Sequence, residues 1–138
     1  MCDIETMKKD FVTHYYDSEA GLFRDTPDSG HHALHSNVLT LLFDIGMNPE
    51  LKKRIIGIIR EKRFESCNYF AFFVLLALEK EGETELMREL ICDDGAWNRM
   101  LENGATVCYE TWAPDLKWNT SLFHPWMSYP VLFADKIK

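Results

Sequence analysis

The chain has 138 residues, 46% of them hydrophobic, 13% aromatic and 27% charged, a size for one domain or part of one and a composition too apolar for a disordered segment. Twenty-two acidic against 15 basic residues leave a net charge of -7, which argues against a nucleic-acid partner, because phosphate binding needs a concentrated positive surface. No apolar run approaches bilayer length and Met1-Cys2-Asp3-Ile4-Glu5 has no leader character, so no membrane partner and a cytoplasmic location are expected.

In chain order, Met7, Phe11 and Tyr15 recur at four-residue spacing behind an Asp3 cap, predicting a first helix that ends near Tyr16. The Asp17-Ser18-Glu19-Ala20-Gly21 turn and the Leu22–Pro27 segment read as an irregular or short extended connection. A second helix is predicted from about His32 to Asp44, with Leu34, Val38, Leu41, Leu42 and Ile45 on one face and Gly46 as its stop. Asn48-Pro49-Glu50 opens a third through Leu51, Ile55, Ile58 and Ile59. Its basic stretch of Lys52, Lys53, Arg54, Arg60, Lys62 and Arg63 reads as a solvated face. After Ser66 a fourth helix carries Phe70, Phe73, Val74, Ala77 and Leu78, together with Phe72 and Leu75 on its other faces, and ends at Gly82. Such all-round apolarity predicts a helix covered on most sides. Thr84 to about Cys92 forms a fifth, and Trp97, Met100 and Leu101 mark a short sixth that Gly104 closes. From Ala105 to Thr120 the helical period stops. A last helix is predicted near Ser128, a serine cap with Pro130 in the first turn, carrying Val131, Leu132, Phe133 and Ile137. The fold class that follows is all-α, a series of antiparallel helical hairpins.

Cys2, Cys67, Cys92 and Cys108 are scattered with no metal-ligand spacing, and free, buried thiols are expected. His31 and His35 form an i, i+4 pair beside His32, but no third ligand is evident, so no metal and no cofactor are expected. Chemistry concentrates instead in the span from Gly104 to Trp126, which gathers Glu110, Trp112, Trp118, His124 and Trp126. Sugar sites use that mixture of carboxylate and flat aromatic surface. Composition alone favours a set of tryptophans capping a core with Glu110 paired at the surface, and Trp97, at helical spacing to Met100 and Leu101, reads as core.

Gly104-Ala105-Thr106-Val107-Cys108-Tyr109-Glu110-Thr111-Trp112, followed by Ser121-Leu122-Phe123-His124-Pro125-Trp126-Met127-Ser128-Tyr129-Pro130, resembles two consecutive segments of the bacterial α-L-rhamnosidase family in order and spacing. His35-Ser36-Asn37-Val38-Leu39-Thr40-Leu41-Leu42 is similar to one of that family's helices. Asn68-Tyr69-Phe70 with Leu76-Ala77-Leu78-Glu79-Lys80-Glu81-Gly82 resembles the next inner helix, so the likeness covers most of the chain. The resemblance implies a partial (α/α)6 toroid: residues 1–138 as the C-terminal part of a six-hairpin glycosidase domain. It further implies a rhamnoside ligand, Glu110 as the general base of inverting hydrolysis and His124 as a sugar contact. Trp112 and Trp126 are candidate walls of the sugar pocket. Tyr109 stands where the family has a tryptophan.

Inverting hydrolysis needs two carboxyl groups roughly 6.5–9.5 Å apart, one as acid and one as base. The resemblance places the acid N-terminal to Met1. Asp25, Asp28, Asp93, Asp94 and Asp115 read as turn or cap residues. The expectation is therefore a portion inactive alone, whose uncovered helix faces are met by a missing N-terminal half or by self-association as a homo-oligomer. The alternative is a non-catalytic helical module that binds sugar or mediates association.

Overall fold

In the computed structural model, which describes residues 3–137, the Asp3 carboxylate accepts from the backbone N–H groups of Glu5 and Thr6, each at 3.3 Å, and opens α1 (Ile4–Tyr15). Two of the donors a helix start leaves unpaired are thereby satisfied. The apolar spacing of α1 is used only in part: Phe11 stacks on Tyr15 at 4.5 Å and meets Phe23 at 5.7 Å, while Met7 stays exposed.

The segment expected to be irregular or short and extended is a tight hairpin. β1 (Tyr16–Asp17) pairs antiparallel with β2 (Leu22–Phe23), Tyr16 opposite Phe23 and Asp17 opposite Leu22. Asp17 is its centre, accepting from the N–H groups of Glu19 at 3.0 Å and Ala20 at 3.2 Å, from Arg24 Nε at 3.0 Å and at 3.1 Å from His32 Nε2. These donors, the Ala20 N–H first and the Arg24 guanidinium next, hold its carboxyl far below the usual carboxylate range.

Helix α2 (Leu34–Leu42) is shorter at both ends than the predicted 32–44. Before it, the Asp25 carboxylate accepts from the Ala33 N–H at 3.0 Å and from the Ser36 hydroxyl at 2.9 Å, keeping residues 31–33 in the loop. After it, Asp44 turns the chain with φ of +51°. Asn37 joins α2 to β2: its Oδ1 accepts from the Phe23 N–H at 2.9 Å and its Nδ2 donates to the Phe23 carbonyl at 3.0 Å. Helix α3 (Pro49–Lys62) starts where the sequence places it, with Asn48 Oδ1 accepting from the Leu51 N–H at 2.8 Å. Its buried Leu51, Ile55, Ile58 and Ile59 pack toward α2 and β2, each such side chain contributing about 1.5–3 kcal/mol when fully buried.

Two compact units divide the chain after Arg63. The second begins with α4 (Asn68–Glu81), which Gly82 ends in the left-handed conformation. Phe70, Ala71, Val74, Leu75, Ala77 and Leu78 are buried and Phe72, Phe73 and Leu76 half-buried, so most of its circumference is covered. Helix α5 (Thr84–Ile91) places Leu86, Met87 and Leu90 in the interior and packs on α4, and the short α6 (Trp97–Glu102) buries Met100.

The last helical element departs from expectation. It starts at Pro125, not near Ser128, and winds as a 3₁₀ helix to Phe133. Proline suits a first helical position, and Pro130 withholds the N–H that a continuing α-helix would use. The Ser128 hydroxyl donates to the Pro125 carbonyl at 2.7 Å instead of capping. With three residues per turn the buried face also changes: Met127, Tyr129 and Phe133 are buried, whereas Val131 and Leu132 are exposed.

The expectation of buried thiols is corrected for Cys67 and Cys92, which are free and exposed, and for Cys108, free and half-buried. Cys67 and Cys92 flank the ends of α4 and α5 and Cys108 lies in a loop, away from any core-facing stripe; Cys2 lies outside the described residues. The strands among the described residues are those of the one hairpin, and the fold is all-α, with successive helices paired as α2–α3 and α4–α5. No helix among the described residues is long and apolar enough to cross a membrane.

Candidate functional site

Between α6 and the 3₁₀ helix the backbone has little regular structure, apart from a 3₁₀ turn at Pro114–Leu116. Two hydrogen bonds nevertheless fasten its ends together. The Glu110 N–H donates to the Ser121 carbonyl at 2.9 Å and the His124 N–H to the Cys108 carbonyl at 2.8 Å. The two segments singled out in the sequence, which are separated by a loop, thus run side by side. The Thr111 hydroxyl adds contacts of 2.8 Å to the Ala113 carbonyl and 3.0 Å to the Thr120 hydroxyl.

This pairing brings Glu110, Trp112 and His124 into the wall of one cavity of about 520 Å³, a volume suited to a small ligand. The remaining lining comes from Ser66, Cys67, Asn68 and Tyr69 at the start of α4, and from Thr111, Leu116 and Lys117. Glu110 is the carboxylate among these lining residues. Its Oε1 accepts from Lys117 Nζ at 2.7 Å and its Oε2 from the Ser121 N–H at 3.0 Å. The Lys117 ammonium first, then the Ser121 N–H and the nearby His124, hold the Glu110 carboxyl below its ordinary value against a smaller opposing effect of burial. An ionised carboxylate is the form a general base requires, although each added donor also weakens its proton affinity.

Trp112 is half-buried, stacked on Phe64 at 5.6 Å and set edge-on to Trp97 at 4.9 Å. Trp97, read as core, is half-buried: its indole Nε1 donates to the Met127 carbonyl at 2.8 Å and its ring meets Phe64 and Tyr129. Trp126 does not line the cavity. It stacks on Tyr69 at 5.4 Å, and Tyr69 takes the lining position. His124 sits at the residue before the 3₁₀ helix without a side-chain capping bond. Tyr109, the departure from the family pattern, is buried and its hydroxyl donates to the Asn103 carbonyl at 3.3 Å.

Two lining residues, Leu116 and Lys117, lie outside the segments that carry the family resemblance, and Asn68 and Tyr69 enter only through the resemblance of their helix to the family. Lys117 lies seven residues from Glu110 with no helical period between them, so only the folded loop reveals their pairing. Asn68 and Tyr69 stood in a helix whose apolar pattern directed attention to its core face.

The other polar groups of interest lie elsewhere. His31 pairs with Asp25, His32 with Asp17 at 3.1 Å, and His35 is exposed on α2. The described residues contain no group of three or more histidine, cysteine and acidic side chains placed to hold a metal. Asp93 accepts from the Gly95 N–H at 2.7 Å, the turn role expected of it, while Asp115 makes a surface ion pair with Arg99 at 3.8 Å.

Neither a curated protein nor a solved structure matches the chain. The family model for the bacterial alpha-L-rhamnosidase six-hairpin glycosidase domain matches residues 2–135, spanning the helices of both units and the segments that carry Glu110 and His124. The chain belongs to that family.

Proposed function

We propose that this chain carries the base side of a site for inverting hydrolysis of terminal α-L-rhamnosides, with Glu110 as general base and His124 and Trp112 as sugar contacts. The observation that supports it is the convergence of these three residues, drawn from two separated sequence segments, on one cavity in a chain of this glycosidase family. A neutral imidazole can donate one hydrogen bond and accept another from adjacent hydroxyls, and an indole face suits the apolar C–H surface of a pyranose.

Inverting hydrolysis divides the work between an acid that protonates the leaving oxygen and a base that activates water on the opposite face. One carboxylate cannot do both at once. In this reading the acid comes from a further part of the six-hairpin domain, and residues 1–138 alone do not turn over substrate. The test is incubation of the purified chain with an aryl α-L-rhamnoside, alongside titration with L-rhamnose. The expected result is no aryl release, with rhamnose binding that His124→Ala weakens. Aryl release that Glu110→Gln abolishes would overturn the claim of inactivity while supporting Glu110 as base.

A second reading, a non-catalytic association module, is favoured by one observation: Trp118 is 95% exposed, with Phe123, Val131 and Leu132 also well exposed in the same unit. Absence of rhamnose binding together with a stable dimer in sedimentation would select it.

A further inference from the structure

Two side-chain atoms among the described residues are buried without any hydrogen-bond partner in the protein, Asn68 Nδ2 and Trp112 Nε1, and both residues line the Glu110 cavity. The comparable groups elsewhere are paired. Asn37, also buried, donates from Nδ2 to the Phe23 and Ala33 carbonyls, and the Trp97 indole donates to Met127. A buried donor left unpaired costs its full desolvation, whereas an apolar group of the same shape would not. Asn68 is only 7% exposed at the first position of α4, and its Nδ2 finds no acceptor there. Its backbone is tied down by a different group: the hydroxyl of the buried Tyr129 donates to the Asn68 carbonyl at 2.7 Å.

We propose that Asn68 and Trp112 form a donor pair that reads acceptor oxygens of a neutral pyranose in this cavity, Asn68 being a specificity-determining contact for the sugar hydroxyls. The inference rests on the reading of the same cavity as a sugar pocket. Both donors are uncharged, the Lys117 ammonium is engaged by Glu110, and the Glu110 carboxylate itself disfavours an anionic ligand. A hydroxyl suits the setting because it accepts from an amide or indole N–H while donating to the carboxylate. A site that holds a polar group for a substrate oxygen discriminates strongly against analogues lacking that oxygen.

The test uses the full chain with L-rhamnose as probe, followed by D-mannose, L-fucose and D-glucose, in calorimetric titration and thermal unfolding of the wild type, Asn68→Leu and Trp112→Phe. Asn68→Leu is expected to weaken rhamnose binding by about tenfold, the loss of one net hydrogen bond, with Tm unchanged or raised. Trp112→Phe removes the indole donor together with part of the ring that packs on Phe64 and Trp97, so its Tm is expected to fall, while rhamnose binding weakens in the same direction. Wild-type affinity in both variants would overturn the donor pair and leave the rhamnoside reading standing. A lowered Tm of Asn68→Leu, or its failure to fold, would also overturn it, because the amide would then have a structural partner. Asn68-dependent binding of another sugar but not of rhamnose would support the donor pair and overturn rhamnose as the ligand. A wild type that binds none of the four sugars would overturn both.

Discussion

With Lys117 Nζ at 2.7 Å and the Ser121 N–H at 3.0 Å, the Glu110 carboxylate is restrained at both oxygens. Its depressed pKa means that the unfolded chain takes up the proton at higher pH than the folded one. The resulting stability is fully present above the ordinary carboxylate range and is lost as pH falls through the lowered value. Lys117→Met removes the largest cause, so the Glu110 pKa is expected to move back up toward its ordinary value, as followed by NMR titration of the side-chain carboxyl carbon. An unchanged midpoint would show that Lys117 does not hold the carboxylate in solution. At this scale the motif segments make Glu110, Trp112 and His124 legible in the sequence alone, because residue type and spacing carry the family likeness. Lys117 and Asn68 are not legible there: an ion pair across an irregular loop and an unpaired donor are properties of the folded cavity and leave no periodic trace.

Among the elements, those specified by local chemistry are the easiest to read. Asp3 and Asn48 accept from the first N–H groups of their helices, and Gly82 and Gly104 both take positive φ where the sequence predicts a helix end. The start of the last helix is misread because Ser128 and Pro125 offer competing starts, and only packing of Met127, Tyr129 and Phe133 decides between them. Two glycines separate backbone strain from crowding. Gly82 has φ of +77° and a Cβ there would meet nothing within 4 Å, while a Cβ on Gly46, at φ of +65°, would stand 2.6 Å from Val12 Cγ2. Gly82→Ala should therefore cost about 1 kcal/mol from conformation alone. Gly46→Ala should cost about 2–4 kcal/mol, conformation plus overpacking. Urea unfolding of both variants measures the difference, and equal losses would mean that the α1 side of the contact yields freely.

For the whole molecule, the family match runs from residue 2 to residue 135 and so crosses both compact units, but every residue lining the Glu110 cavity follows Arg63. The all-α class is legible from periodicity, since period-3.6 apolar stripes recur through most of the chain. The division after Arg63 is not, because α3 and α4 follow one another across a short connection without any run of glycine or proline. One lining residue, Cys67, is an exposed free thiol, while Cys92, equally free and exposed, lies outside the cavity wall. The protein thus carries its own occupancy gauge. Alkylation by a maleimide, read by mass spectrometry, should slow at Cys67 when a sugar fills the cavity and proceed unchanged at Cys92. Equal slowing at both thiols would mean the ligand sits elsewhere. Because this readout needs neither turnover nor a second carboxylate, it can rank unknown ligands by their occupancy of the cavity alone.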